Sequence, residues 1–414
     1  MKTAGFATIA VHEAGPKKDA HRALRFPIYA GAAFDFESAE AMADTFSGRR
    51  AAHAYSRISN PTVEALERKM TVLEAGLATV AVSSGMAAIA AALLNLLTAG
   101  DNIVAASSLF GGTYSLFRNV FEPLGISTRF VSADDVRAIE GAIDDHTRVV
   151  FLETISNPCM IVPDFVAIAE IAHKNNVVLM ADSTVTTPYL FNAGQFGLNV
   201  VVHSTTKYVS GGATSMGGVI VDLGNFDWTH IPALKNYHRF KEMAFIARLR
   251  KEVYRETGSC LSPHNAYLQI LGLETLSLRM DRICRNAQAI AEFLEAQRAV
   301  RSVLYPGLDS SPFHDLARQQ FDGLYGGVLS FNLPDRAGCF SFLNALSIIR
   351  RASNLGDNKT LALHPASTIF AGFTEVELKS IGIDDTLIRI SVGIEDSVDL
   401  IDDIRAALKG IENV

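Results

Sequence analysis

Between residues 59 and 255 short apolar runs alternate with helical stretches, and this alternation restricts the fold more than any other feature of the chain. Asn60-Pro61-Thr62 opens a helix that runs through Leu73-Glu74, with Pro61 in its first turn, where a missing N–H costs nothing. Thr79 to Ser83 reads as a strand, and Gly85 then opens an alanine-rich helix from Met86 to Leu97. Asn102–Ala106, Ser127–Val131, Val149–Glu153, Val177–Asp182, Val200–Ser204 and Gly218–Asp222 read as further strands. Helical patterns at Tyr114–Leu124 and Phe165–Lys174 separate some of them. Such a sequence predicts an α/β fold with a mostly parallel central sheet and helices on both faces. In that architecture ligands bind beyond the carboxyl ends of the strands.

The flanking regions differ. Residues 1–58 have polar patches, the pair Arg49-Arg50 and little periodicity beyond a short helix at Ser38–Phe46. They read as an N-terminal arm that contacts a neighbouring subunit. Residues 59–255 are the α/β domain. From 256 to 414 the pattern becomes that of a smaller C-terminal α+β domain. It has a helix from Cys260 to Arg279 continuing after a break into Ile283–Gln297, and β-rich stretches at Gly327–Asn332 and Leu387–Val392. A last helix spans Ser397–Lys409, with Gly410 as its stop.

Bulk properties narrow the function. The chain has 414 residues, enough for two or three domains, and its net charge of −7 disfavours nucleic acid or an anionic membrane as partner. The longest apolar stretch, Gly85 to Leu97, is too short to cross a bilayer, which takes about 20 residues. The N-terminus lacks an apolar signal core, so cytoplasm is the expected location. The four cysteines, Cys159, Cys260, Cys284 and Cys339, lie far apart, so neither a metal site nor a disulfide framework is expected.

The polar residues that follow the strands carry the chemistry. In His203-Ser204-Thr205-Thr206-Lys207-Tyr208 a lysine flanked by hydroxyls follows a buried strand and precedes Ser210-Gly211-Gly212. A lysine so placed can hold pyridoxal phosphate (PLP) through an imine. That cofactor needs a phosphate cradle, a carboxylate for its pyridine nitrogen and a lid for its ring. Ser83-Ser84-Gly85-Met86 joins a strand to a helix N-terminus, where free N–H groups favour an anion. Asp182 ends an apolar run and is the candidate pyridinium partner, Asn157 follows another strand and can bond the ring hydroxyl, and Phe110 can stack on the ring. Singly, each is also what an ordinary strand end or core carries. Their order along one sheet is what points to PLP.

With these residues in place the chain resembles the Cys/Met-metabolism family of fold-type I PLP-dependent enzymes over nearly its whole length. The resemblance rests on Tyr55 to Thr62, Ser83 to Ala88, Glu153 to Pro158, Asp182 with Thr187-Pro188, Ser204 to Tyr208, and His364-Pro365-Ala366-Ser367. It implies that Lys207 bonds the cofactor and shuttles protons, that Asp182 pairs with its ring nitrogen, and that Gly85, Met86, Ser204 and Thr206 hold its phosphate. It implies that Tyr55 and Arg57 reach the phosphate of the neighbouring subunit's cofactor, which makes a homo-oligomer, a tetramer built as a dimer of dimers, the expected assembly. Tyr55 and Phe110 are also implied as catalytic positions. Arg389, helped by Ser353 and Asn157, would clamp the α-carboxylate of an amino-acid substrate. Arg389 stands in an apolar strand, where a buried unpaired charge is costly.

Within that family Gly211 to Gly218, Leu261 to Met280 and Asn354 to Pro365 are most similar to the O-acetylhomoserine and O-succinylhomoserine sulfhydrylases. The activity implied is γ-replacement on an O-acyl-L-homoserine by sulfide or a thiol, giving homocysteine for methionine and cysteine metabolism. Methionine γ-lyase, cystathionine γ-lyase or γ-synthase chemistry is the alternative, and a non-catalytic PLP-binding relative a further one. Methionine γ-lyases usually carry cysteine where this chain has Gly112. Two departures bear on specificity: Phe110 stands where most relatives have tyrosine, and Ile369-Phe370 where a histidine is common.

Overall fold

The computed structural model describes residues 4–12 and 23–412. Residues 1–3, 13–22 and 413–414, which the predicted N-terminal arm and C-terminal domain include, lie outside the described residues. Seven strands form the main sheet: β1 (Ala78–Val82), β2 (Asn102–Ala106), β3 (Ser127–Val131), β4 (Thr147–Glu153), β5 (Val178–Asp182), β6 (Val200–His203) and β7 (Gly218–Asp222). Their order is β1-β7-β6-β5-β4-β2-β3, and only β7 runs against its neighbours. The sheet is therefore mostly parallel, with its polar C-terminal ends along one edge. β2, β6 and β7 are buried along their whole length, as strands covered on both faces must be.

Local signals set the helices that cover it. The Asn60 side chain caps Pro61–Leu73 by accepting from Thr62 N–H at 2.9 Å and Val63 N–H at 3.4 Å. Ser84 caps Gly85–Leu96 in the same way, accepting from Ala87 N–H at 3.1 Å. Asp164 caps Phe165–Lys174. The helix expected at Tyr114–Leu124 instead begins at Gly111, stays α-helical to Leu116, widens into a π turn over Phe117–Phe121 and tightens at Pro123 into a 3-10 turn. The widening occurs where Phe117 and Phe121 both turn into the core.

A second, smaller sheet has the order β10-β11-β12-β9-β8, from β8 (Ser302–Leu304), β9 (Val328–Asn332), β10 (Arg350–Arg351), β11 (Leu361–Leu363) and β12 (Leu387–Ser391). The break in the long C-terminal helical stretch falls at Thr275, between Pro263–Glu274 and Leu276–Glu295. The second of these helices joins the two cores. Its Leu276, Met280, Ile283 and Cys284 pack with the main sheet, and its Ala287, Ile290, Ala291 and Leu294 with the smaller one. The last helix does not stop at Gly410. It runs Ser397–Glu412, because burial of Leu400, Ile404, Ala407 and Leu408 outweighs the roughly 1 kcal/mol that one glycine costs a helix. Among the described residues no helix is long and apolar enough to cross a membrane.

Candidate active site

A cavity of about 370 Å³ opens where the C-terminal edge of the main sheet meets the second sheet. β1, β4, β5 and β6 end on it, so Ser84-Gly85-Met86, Glu153, Asp182 and Ser204 all line it. β12 brings Arg389 from the other side, and the segment after β10 brings Ser353 and Asn354. Lys207, in the turn after β6, projects into it, as do Thr206, Phe110 and Asn157. Ten residues singled out in the sequence, Lys207, Asp182, Gly85, Met86, Ser204, Thr206, Asn157, Phe110, Ser353 and Arg389, thus line one cavity.

Tyr55 and Arg57 do not line it. Arg57 donates from Nη1 to the Arg255 carbonyl at 2.7 Å and lies over the Tyr55 ring, 5.7 Å from its centroid. Tyr55 is largely exposed. Phe370 also stays outside: it is buried against Gly111, where its neighbour Ile369 does reach the cavity.

Burial dominates the electrostatics. Lys207 Nζ donates to Asn354 Oδ1 at 2.6 Å, and burial, with Arg389 nearby, brings its pKa down to about 8 against the pull of Asp182. Arg389 is 2% exposed; it donates from Nη1 to Asn157 Oδ1 at 3.2 Å and from Nη2 to the Asn354 carbonyl at 2.7 Å, while its Nε has no partner. No carboxylate among the described residues pairs with it, and burial lowers its pKa to about 10. Burial raises Asp182, whose Oδ1 accepts from Thr184 N–H at 2.9 Å. Glu153 is raised to about 8 by burial and by Asp182.

The turns after β1 and β6 meet closely at one end of the cavity. An added Cβ on Gly85 would lie 2.6 Å from Ser204 Cβ, and one on Gly218 2.2 Å from the Ser84 carbonyl oxygen. Only glycine lets these turns meet. The first amides of helix Gly85–Leu96 have no intrahelical acceptor and can face an anion. The Thr206 hydroxyl donates to the Gly217 carbonyl at 3.1 Å and accepts from Gly217 N–H at 3.0 Å.

Residues 7–409 match the family described as Cys/Met metabolism PLP-dependent enzyme. The chain belongs to this family. Its members with 40% identity include an L-methionine gamma-lyase from Pseudomonas putida, aligned over 99% of this chain and 98% of that one. A homocysteine synthase from Schizosaccharomyces pombe is also 40% identical, over 98% of each chain. Among solved structures, an O-acetylhomoserine (thiol)-lyase from Campylobacter jejuni carrying N'-pyridoxyl-lysine-5'-monophosphate superposes with a TM-score of 0.92 at 34% identity, covering 97% of this chain and 99% of that one.

The cofactor of this family member is PLP, and the cavity fits it. Burial brings a lysine amine down to about 8, a carboxylate raised by burial forms no ion pair among the described residues, and a helix N-terminus faces two glycine-dependent turns. Three polar lining residues, Glu153, Thr184 and Asn354, have no role among the sequence-based expectations. Glu153 carried the same signal as Asp182, a carboxylate ending a buried strand.

Proposed function

We propose that this enzyme catalyses γ-replacement on an O-acyl-L-homoserine, with sulfide or a thiol displacing the acyl ester to give homocysteine. The observation that carries the reading is Phe110. Its ring lines the cavity, and its edge fills the space a side chain at position 112 would take, since a Cβ on Gly112 would lie 2.7 Å from Phe110 Cε1. The site therefore offers neither a phenol at position 110 nor a thiol at 112 to protonate a departing group. A carboxylate leaves as a weak base and needs no such acid, whereas a thiolate leaving from a thioether does.

Bound PLP supplies the electron sink that lets the substrate lose its α-proton. Lys207 holds the cofactor and, once freed, carries protons at Nζ, for which a pKa of about 8 is well matched near neutrality. Asp182 keeps the ring nitrogen protonated. Gly85, Met86, Ser204 and Thr206 hold the phosphate, and Phe110 covers the ring. Arg389 binds the α-carboxylate through a guanidinium oriented by Asn157 and Asn354, with Ser353 beside it.

Tyr55 and Arg57 act at the cofactor phosphate of a neighbouring subunit, with Tyr55 supplying a hydroxyl there. The exposed apolar groups between residues 23 and 58, including Leu24, Tyr29, Met42 and Phe46, support this arm as a subunit contact. The assembly is a homotetramer, a dimer of dimers, in the cytoplasm. We read residues 59–255 as the PLP-binding domain and 256–414 as the C-terminal domain.

The test is product analysis by mass spectrometry. The PLP-loaded enzyme is incubated with O-acetyl- or O-succinylhomoserine, with and without sulfide, and separately with methionine. Homocysteine formed only from ester plus sulfide supports the proposal and names the donor. 2-Oxobutanoate and methanethiol from methionine, at rates matching the ester reaction, would overturn it in favour of a γ-lyase like the Pseudomonas relative.

A further inference from the structure

Glu153 is the last residue of β4 and Asp182 the last of β5, and the two stand in register on adjacent parallel strands. Register partners share a face at a strand spacing of about 4.8 Å, so two carboxylates meet at one point of the cavity wall. Glu153 is 6% exposed and has no cationic partner among the described residues. Like charges so close and so buried are expensive, and a residue without a task there would be replaced at no loss by an apolar one.

The Glu153 carboxylate does have a task. Oε1 accepts the Phe110 main-chain N–H at 2.7 Å, and Oε2 accepts the Asn157 N–H at 3.1 Å. Phe110 belongs to the segment after β2, and Asn157 to the segment after β4. One side chain thus ties together two loops. Asn157 in turn accepts from Arg389 Nη1. The chain of contacts runs from the aromatic ring, through Glu153 and Asn157, to the guanidinium.

We propose that Glu153 is a positioning residue: its carboxylate fixes the Phe110 loop and the Asn157 loop against each other, and so sets the ring lid and the Arg389 clamp as one unit. This rests on the roles proposed above for Phe110 and Arg389.

Only the ionised carboxylate presents a free acceptor at both oxygens. A proton on either one weakens that oxygen as an acceptor and removes the charge that strengthens both N–H bonds. The ionisable groups around Glu153 are Asp182 on β5, the Cys159 thiol of the following loop, and Lys207 and Arg389 across the cavity. Of these, Asp182 opposes ionisation most directly, and together with burial it puts the Glu153 carboxyl at about 8. A cation set against Asp182, as the cofactor's ring nitrogen would be, offsets that repulsion and favours the ionised clamp. Tightening of the clamp and binding of the cofactor are therefore linked in the same direction.

The experiment uses the full-length holoenzyme and Glu153→Gln, an isostere that keeps one acceptor and loses the other. Two readouts need no turnover: the visible circular dichroism of the bound cofactor, which reports how the ring is held, and the dissociation constant of L-norvaline, an amino acid with no γ-leaving group. The variant is expected to bind cofactor stoichiometrically with altered visible dichroism. It should bind norvaline about 10- to 100-fold more weakly, the range for losing one hydrogen bond to a charged acceptor. In the wild type norvaline affinity falls as pH is lowered and Glu153 takes up a proton; in Glu153→Gln that component is missing. Glu153→Asp keeps the charge but shortens the reach, so it should weaken norvaline while retaining the pH component. It carries the same test if the glutamine variant does not fold. Unchanged dichroism and unchanged norvaline affinity in the soluble variant would overturn the proposal. Neither readout depends on which γ-substituent leaves, so a failure of the sulfhydrylase reading would be distinguishable from a failure of this one.

Discussion

Gly85→Ala isolates how much of cofactor binding depends on two turns meeting without a side chain between them. The new Cβ would sit 2.6 Å from Ser204 Cβ, 2.9 Å from its Oγ and 3.0 Å from its Cα. Ordinary contacts of this kind begin near 3.4 Å, so the turns after β1 and β6 must separate by nearly 1 Å. One of the three atoms is main chain, and Ser204 is held in place by its N–H bond to Thr184 Oγ1 at 2.7 Å, so a rotamer change does not relieve the clash. Overpacking of this type costs about 1–3 kcal/mol. Against it stands the better helix propensity of alanine, at most about 1 kcal/mol and less at a first helical position. The clash wins, and the apoenzyme should lose about 1–2 kcal/mol. The larger effect is on the cofactor. With the phosphate held as proposed, the Gly85 and Met86 amides and the Ser204 hydroxyl would no longer converge on it, and losing one charge-assisted hydrogen bond weakens binding by about 1.5–3 kcal/mol, or roughly 10- to 100-fold. Titration of apoenzyme with PLP, read by absorbance, gives the dissociation constant. Melting with and without PLP gives the linked stability, and the gap between the two melting temperatures should narrow. Gly372→Ala is the control, because a Cβ there meets nothing within 4 Å. Wild-type PLP affinity in Gly85→Ala would refute the reasoning and move the phosphate away from this turn.

Arg389→Lys keeps the charge but replaces a two-point donor by one, so KM for the amino-acid substrate should rise about 10- to 100-fold with a smaller change in kcat; an unchanged KM would place the carboxylate elsewhere. PLP capture by apoenzyme needs the neutral Lys207 amine. Burial lowers its pKa, so the neutral form is lost as pH falls and gained as pH rises, and the capture rate should level off above about 8; a rate still climbing to 10.5, the ordinary lysine value, would contradict the cavity's electrostatics. Phe110→Tyr supplies the missing acid, and the ratio of methionine cleavage to ester replacement should rise by roughly an order of magnitude or more; a fixed ratio in the competing assay would remove Phe110 from the account of specificity.

The main sheet was legible because a strand buried on both faces must be a short apolar run, and Asn102–Ala106 and Gly218–Asp222 begin and end where those runs do. The capping side chain Asn60 marked a helix start for an equally local reason. β10 and β11 left no such trace: they are only two and three residues long, and β11 exists through pairing with distant β12 and β10 through pairing with β11. The 3-10 turns of Pro232–Met243 place Leu234, Tyr237 and Phe240 at every third residue, a spacing that differs from that of an α-helix. In the cavity, residues that act from strand ends could be read in order along the chain. Glu153 could be seen at its strand end, but its two acceptor contacts depend on loops folding back over it, which is tertiary information. Asn354 is the same case, since its side chain meets Lys207 and its carbonyl meets Arg389 only after the second sheet docks.

The cavity also explains why one scaffold has relatives named as lyases and as synthases. Its charged groups gather at the sheet edge and at β12, and burial moves each of them toward neutrality: Glu153 and Asp182 upward, Lys207 and Arg389 downward. Neither Arg389 nor Asp182 forms an ion pair among the described residues, and a zwitterionic amino acid together with a phosphorylated pyridine would provide the counter-ions: a carboxylate for Arg389, a protonated ring nitrogen for Asp182. Recognition of an α-amino acid is therefore built into the charges. The remaining wall is apolar, from Ile155, Val185, Met216, Leu355 and Ile369, and places no comparable demand on the γ-substituent. A pocket that fixes the head of its substrate by charge and leaves the tail to packing can change reaction by changing the few side chains near that tail. In this chain Phe110, whose ring edge lies against Gly112, and Ile369 line the cavity, and they are where substrate choice should be altered first.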